Sequence, residues 1–135
     1  MQIQELKDIA SQVRRDIVRM VHSCQSGHPG GSLGCTDVVV SLYFDVMKIN
    51  EEKNEEGFLT FFREGHNEDM FFLSNGHISP LFYSVLARRG YFSIDELSTF
   101  RKINSRLQGH PEVRPCLQPR GVGRVDQVFD ARAPR

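Results

Sequence analysis

Apolar side chains recur at steps of three and four residues over the first part of the chain. The series is Leu6, Ile9, Ala10, Val13, Ile17, Met20, Val21 and Cys24. This spacing places them on one face of an α-helix. The pattern therefore predicts a helix over residues 6–24, about 30 Å long at a rise of about 1.5 Å per residue.

A second apolar run has almost no polar face. It begins after Thr36 and comprises Val38, Val39, Val40, Leu42, Tyr43, Phe44, Val46 and Met47. A helix that is apolar nearly all round is buried inside a larger assembly or under a partner. We therefore predict a helix over residues 36–48 that requires cover. The isolated chain is expected to self-associate or aggregate through it.

A strand, a polar loop and a helix are predicted in succession over residues 70–89. The apolar run MFFL at 70–73 is typical of a strand covered on both faces in a parallel sheet. SNGH follows as a loop, and Ser79 and Pro80 supply an N-cap and a first-turn proline for a helix that ends at Gly90. This order indicates an α/β fold, with a parallel sheet and helices on both faces. In such sheets, ligands bind where loops leave the carboxyl ends of the strands.

The remaining chain divides into a connection, a short helix and a tail. The acidic connection at 50–69 contains Phe58, Leu59, Phe61 and Phe62 and is expected to form a flap on a neighbouring surface. Ser93 and Glu96 fit a capping box for a third helix, which runs through about Lys102. Residues 113–135 carry five Arg and no Lys and show no periodicity. We therefore predict a domain at 1–112 and a disordered tail at 113–135.

Glycine surrounds a histidine in the stretch QSGHPGGSLG at residues 25–34. Four glycines in eight residues weaken any helix or strand, so the stretch is predicted to be a shaped loop. Pro29 favours extended backbone at His28, which would hold the imidazole out from the turn. A surface turn with an incidental histidine is the alternative.

Charge and cysteine content exclude several classes of protein. The 135 residues carry 17 basic and 17 acidic side chains, so no net field attracts nucleic acid or an anionic membrane. A helix-turn-helix DNA-binding protein would need a basic stripe, which is absent. We expect no signal peptide, because the N-terminus is charged and amphipathic, and no apolar run reaches membrane-spanning length. Three cysteines without metal or redox spacing favour a cytoplasmic protein.

Three of the five histidines occupy Gly-His steps in predicted loops: His28, His77 and His110. Imidazole titrates near neutral pH, so such side chains can donate a hydrogen bond to an anion or move a proton. If they converge, they would suit a phosphate-bearing, hydroxyl-rich ligand. His22 and His66 lack this setting and are interpreted as structural or solvated. No zinc-site spacing is present, and an interaction module that docks a partner through the apolar second helix stays open.

Three motifs in order give the chain a family resemblance. SGHPGGSLG at 26–34, LSNGHISPLFYS at 73–84 and RLQGHPE at 106–112 resemble the N-terminal region of transketolase. The resemblance covers residues 4–112 and looks most like the separately encoded N-terminal subunit of some microbes. It implies an incomplete part of an α/β thiamine diphosphate-binding fold, helix-rich in this segment. It also implies Mg²⁺, a homodimer and a C-terminal partner subunit, in an enzyme that transfers two-carbon ketol units between sugar phosphates of the pentose phosphate pathway.

The resemblance also implies roles for individual residues. His77 would contact the cofactor diphosphate. His28 and His110 would bind the substrate and act catalytically, by donating hydrogen bonds and assisting proton transfer at its hydroxyl groups. Ser26 and Asn75 are expected to brace the loops rather than to contact ligand.

The chain departs from the family pattern after residue 112. The family's glycine-serine loop, its Gly-Asp-Gly motif and a downstream Asn pair are missing, and no Asn follows Asn104. We therefore expect no metal ligands in this chain. The glutamate that activates the thiamine ring belongs to the family's second domain, so the chain alone is expected to be inactive. A shift of reading frame near residue 112 and a natural divergent ending are the two hypotheses for the tail, and a non-catalytic scaffold domain is the alternative function.

Overall fold

The computed structural model describes residues 1–60, 68–69 and 71–111, which form a small array of helices. The α-helices are α1 (Ile3–Cys24), α2 (Pro29–Gly34), α3 (Thr36–Ser41) and α4 (Ser79–Arg89). A π-helical turn continues α3 over Leu42–Val46, and 3₁₀ turns lie at Gly76–Ile78 and Ile94–Thr99. In the described part of the chain, no helix combines the length and the apolarity that crossing a membrane requires.

Helix α1 confirms the prediction from apolar periodicity and begins one turn earlier than expected. Val13 and Ile17 on its apolar face are fully buried. Gln2 is the N-cap residue, and its backbone N–H donates to a carboxylate oxygen of Glu5 at 2.9 Å. This bond satisfies an N–H group at the helix start that otherwise has no partner. The helix ends at Cys24, and the C-cap residue Gln25 has a left-handed backbone that turns the chain toward α2.

Helix α4 lies at the centre of the array and packs on α1, α2 and α3. All its residues from Ser79 to Ala87 are buried. The predicted end of the helix is confirmed, because Gly90 closes it with a φ of 105°. The predicted N-cap is wrong: Ile78 holds that position, and the Ser79 hydroxyl donates to the carbonyl of Gly109 instead. A buried hydroxyl takes the acceptor that the fold brings nearest, and here that acceptor comes from a distant loop.

The second predicted helix is interrupted and buries only one of its sides. It changes from α to π geometry at Leu42, and Met47 N–H donates to the carbonyl of Leu42 at 2.8 Å. Val40 is buried, whereas Val38 and Val46 are 63% and 67% exposed. The cover that the sequence requires for this segment is therefore not complete within the described residues. Self-association through it stays a prediction.

The strand predicted at 70–73 is wrong for residues 71–73, and Met70 lies outside the described residues. The Phe71 ring stacks on Phe82 of α4, with centroids 5.9 Å apart, and also contacts Tyr43 at 5.3 Å. Phe72 is 60% exposed, so the run is covered on one face only. No strand ladder forms in the described ranges, where the one β-bridge is isolated and antiparallel. The predicted parallel sheet is therefore not confirmed.

The third predicted helix is shorter and tighter than expected. It is a 3₁₀ helix over Ile94–Thr99, with the Ser93 hydroxyl accepting from the Asp95 N–H at 3.3 Å. The predicted capping box does not close, because the Glu96 carboxylate pairs with Arg106. The predicted tail at 113–135 lies outside the described residues.

The connection after residue 50 is anchored on the C-terminal end of α4. Leu59 is buried, and its N–H donates to the carbonyl of Gly90 at 2.8 Å. An antiparallel bridge joins Leu59 to Lys53. This part of the connection packs on a neighbouring surface, as the flap prediction expects, whereas Phe61 and Phe62 fall outside the described residues.

A buried ion pair joins α1 to α4. Both carboxylate oxygens of Asp16 accept from Arg88, at 2.8 and 2.9 Å, and the Ser84 hydroxyl donates to the same carboxylate at 2.8 Å. Burial alone would raise the pKa of Asp16, but the hydrogen bonds from Arg88 and then from Ser84 outweigh it and hold this pKa below its usual value. The side chain of Asp16 is only 5% exposed. A bidentate, additionally hydrogen-bonded pair of this kind fixes how the two helices sit against each other.

Candidate functional site

The three Gly-His steps converge on one exposed surface, the histidine face, formed by His28, His77 and His110. The ring centroids of His28 and His77 are 5.0 Å apart, and those of His77 and His110 are 4.9 Å apart. Both ring pairs meet edge to face, and His77 is the central member. All three side chains are exposed. Residues that lie far apart in sequence thus form one group of imidazoles.

His28 reaches this face from the junction between α1 and α2. Gly27 has a φ of 128°, a conformation that residues with a side chain rarely adopt, and it reverses the chain after α1. Pro29 then occupies the first helical position, where its fixed φ and missing N–H are tolerated. Ser26 continues the turn, and its carbonyl accepts from the Cys24 thiol at 3.1 Å.

The glycine stretch is therefore only partly the predicted loop, because Pro29–Gly34 form α2. A Cβ atom at Gly31 would lie 3.2 Å from a methyl carbon of Ile78, so glycine lets α2 approach the start of α4 closely. Packing of this kind outweighs the poor helix propensity of glycine. Helix α2 was therefore not predicted from the sequence, where the four glycines favour a loop.

His77 is held by a 3₁₀ turn directly before α4. The Asn75 side-chain oxygen accepts from the backbone N–H of His77 at 3.2 Å. Ile78 is buried and anchors the turn to the core. Asn75 thus orders the backbone of the turn, while the His77 ring stays exposed.

His110 is held from α4, through contacts that the sequence reasoning missed. The Ser79 hydroxyl donates to the carbonyl of Gly109 at 2.6 Å, and the Tyr83 hydroxyl donates to the carbonyl of Gln108 at 2.8 Å. Gly76 contributes through its small size, because a Cβ there would lie 2.7 Å from Nδ1 of His110. The available signal was the spacing of Ser79 and Tyr83, two hydroxyl residues that share one helix face at i and i+4.

The chemistry of the histidine face suits an anion better than a cation. Exposed imidazole N–H groups can donate hydrogen bonds to phosphate or hydroxyl oxygens. Within residues 1–60, 68–69 and 71–111, no group of three or more His, Cys, Asp or Glu side chains is arranged to hold a metal ion. The histidine face therefore offers hydrogen-bond donors that suit an anion, and no ligand set for a cation is found among the described residues.

The other candidate features lie apart from this face. His22 is exposed on α1, in agreement with its interpretation as a solvated side chain, and His66 is outside the described residues. A cavity of about 570 Å³ lies between α1 and the 3₁₀ helix, lined by residues that include Arg19 and Ser98. A second cavity of about 470 Å³ lies between Lys53 and Phe92. Both cavities are lined by residues other than those of the histidine face.

Comparison with known proteins agrees with the three motifs. Transketolase 2 of Escherichia coli is 36% identical over an alignment of 136 positions, which covers 96% of this chain and 19% of that protein. The human transketolase is 31% identical over 129 residues, which cover 96% of this chain and 19% of that protein. The chain thus spans about a fifth of the length of these curated relatives.

Structural comparison gives the same family. The structure of transketolase from Leishmania mexicana superposes with a TM-score of 0.68 and 30% sequence identity, over 83% of this chain and 16% of that one. A family model described as the thiamine diphosphate binding domain of transketolase matches residues 6–121. The match passes residue 112, where the sequence pattern places a boundary that stays a prediction. Because the match covers most of its length, this chain belongs to the transketolase thiamine diphosphate-binding domain family.

Proposed function

We propose that this chain supplies one wall of a thiamine diphosphate site in an enzyme that transfers two-carbon ketol units between sugar phosphates. The observation that carries the proposal is the convergence of His28, His77 and His110 on one exposed face. A phosphorylated, hydroxyl-rich ligand offers many oxygen acceptors. Three adjacent imidazoles can engage several of them together.

Within the proposed site, we assign a role to each histidine from its position on the histidine face. His77 is the central ring and the one next to the N-terminal end of α4, so it is assigned to the cofactor diphosphate. His28 and His110 flank it and are assigned to the substrate, where they donate hydrogen bonds to hydroxyl oxygens and assist proton transfer. When bound, thiamine diphosphate supplies the nucleophilic carbon and the electron sink for cleavage of a carbon–carbon bond.

The described residues make up only part of the proposed site. A diphosphate in such a site needs a divalent cation, Mg²⁺ in this proposal, to balance its charge. The described residues provide no ligand set for that cation. We therefore propose that the chain alone is inactive and acts with a C-terminal transketolase subunit, as part of a dimer, in the cytoplasmic pentose phosphate pathway.

Isothermal titration and complementation test the proposal. The chain alone should give no saturable binding of thiamine diphosphate with Mg²⁺, and micromolar binding would contradict its dependence on other segments. Mixed with a polypeptide that carries the rest of a transketolase, it should restore ketol transfer. In that mixture, His110→Ala should lower kcat by about 100-fold, and His77→Ala should raise the cofactor concentration that gives half-maximal activity. His22→Ala is the matched control and should change neither, because His22 is exposed on α1 outside the histidine face.

A non-catalytic scaffold domain is the second candidate function. Val38 and Val46 favour it, since both are more than half exposed on one apolar segment. Under this alternative, Val38→Asp would abolish association with the complementary polypeptide, whereas His77→Ala would leave every measurable property of the complex unchanged. If His77→Ala raises the cofactor concentration that gives half-maximal activity, the result supports the enzyme function and rejects the scaffold function.

A further inference from the structure

Two buried hydroxyl groups on α4 hold the loop that carries His110. Ser79 and Tyr83 lie one helical turn apart and donate to the carbonyls of two consecutive residues, Gly109 and Gln108. We propose that Ser79 and Tyr83 are positioning residues that set the distance between the rings of His110 and His77. The consequence for catalysis rests on the proposed function. The positioning itself does not.

Burial makes these two bonds strong constraints. Ser79 is 1% exposed and Tyr83 is fully buried, so neither hydroxyl can exchange its carbonyl partner for bulk water at low cost. Loss of either hydroxyl would leave a loop carbonyl without its donor. The loop would then move toward solvent to hydrate that carbonyl, and His110 would move with it.

The same loop is restrained on its other sides, which makes its position specific. Leu107 is fully buried, and its carbonyl accepts from the N–H of Arg101 at 2.8 Å. Gly76 limits the loop from the side of His77, because a Cβ on its backbone would strike the His110 ring at 2.7 Å. The two hydroxyls therefore hold the loop against the backbone of Gly76, where only a residue without a Cβ leaves room for the His110 ring.

Helix α4 offers a matched control in Ser84. Like Ser79, it is a buried serine on the same helix, but its hydroxyl donates to Asp16 and not to the loop. Ser84→Ala therefore removes the same atom from the same helix and leaves the contacts of His110 in place. Any effect common to both substitutions reports on the stability of α4. An effect seen only with Ser79→Ala reports on the loop.

The test is the nuclear Overhauser cross-peak between ring protons of His77 and His110 in the full chain labelled at histidine. We expect the peak in the parent, since the centroids lie 4.9 Å apart. We expect its loss in Ser79→Ala and Tyr83→Phe and its retention in Ser84→Ala, while the peak between His28 and His77 persists throughout. Tyr83→Phe removes a single oxygen atom, so it decides the question if Ser79→Ala does not fold.

Retention of the His77–His110 peak in a folded Tyr83→Phe variant, or its equal loss in Ser84→Ala, overturns the proposal. In the complemented mixture, Tyr83→Phe should lower kcat by up to about 100-fold, because a displacement on the order of 1 Å can have that effect. KM for the sugar phosphate should change less. A lost cross-peak without any change in ketol transfer would uphold the positioning role and reject the proposed function, so the two failures are distinguishable.

Discussion

The two ends of α4 differ in the interactions that hold them and in the groups that they support. Toward the C-terminal end, Ser84 and Arg88 enclose the Asp16 carboxylate in a buried, charged contact with α1. At the N-terminal end, Ser79 and Tyr83 hold a loop through neutral hydrogen bonds, and that loop presents an exposed ring. The charged end stabilises the packing of α4 on α1, whereas the neutral end positions the loop that carries His110.

The largest expected effect comes from removing the positive charge at the charged, C-terminal end of α4. Arg88→Met leaves the Asp16 carboxylate buried without its cation, and we expect a loss of about 3 kcal/mol in the free energy of unfolding. Urea denaturation measures this loss. The cross-peak between His77 and His110 should persist in the folded protein, because Arg88 bonds to Asp16 on α1 rather than to the loop. Its disappearance would show that the two ends are not independent.

An exposed ion pair provides the control for that substitution. Arg14 donates to Asp37 at 2.8 Å, with side chains that are 37% and 72% exposed. Arg14→Met removes the same type of charge and should cost less than about 1 kcal/mol, since solvent screens such pairs. Equal losses in the two variants would show that burial does not make the Asp16–Arg88 pair more important for stability than the exposed Arg14–Asp37 pair.

Acid pH should weaken the contact between Asp16 and Arg88 at the charged end more gradually than the substitution does. Because the folded state holds the pKa of Asp16 below its unfolded value, the pair stabilises the fold fully above that unfolded value, which is about 4. This contribution is lost as the pH falls further, through the folded pKa. Unfolding measured between about pH 5 and 2 should show this loss in the parent. The same series in Arg88→Met should show less of it, and an unchanged slope would assign the pH dependence to other groups.

Two glycines, for which we expect changes of opposite sign, give the sharpest comparison. Gly90, at the charged end, has a φ of 105°, and a Cβ there would lie 3.9 Å from Leu59, an ordinary contact distance, so Gly90→Ala meets backbone strain rather than a clash. We expect a loss of about 1–2 kcal/mol. Gly30, beside His28, has open space for 4 Å around the position that a Cβ would take, and Gly30→Ala should stabilise α2 by about 0.5 kcal/mol. Thermal denaturation of both variants checks the signs, and destabilisation by Gly30→Ala would show that α2 needs glycine there for another reason.

Local patterns predicted the elements whose causes are local. The apolar period of α1 and the Gly90 end of α4 are confirmed because each depends on residues within a turn or two. The run at 71–73 was misread as a strand, since the Phe71 ring packs on Phe82 of α4 rather than between strands. Helix α2 was missed because its support comes from Ile78, far along the chain.

In the candidate site, too, the local features were predicted from the sequence and the contacts between distant segments were not. Each Gly-His step was visible in the sequence, but the contact between the rings of His28, His77 and His110 required the fold. Ser79 was interpreted as a helix cap because the pattern offers that role locally. Its actual acceptor is 30 residues away along the chain, at Gly109.

The angular placement of the four polar contacts on α4 has a mechanical consequence. At about 100° per residue, Ser79 and Tyr83 point in nearly one direction and Ser84 and Arg88 in another, with about 140° between Ser79 and Ser84. Neither axial rotation nor sliding of the helix can preserve both sets of bonds. Helix α4 can therefore adopt only one rotation about its axis that keeps both sets of bonds. The orientation of His110 is in this way coupled, through α4, to the position of α1.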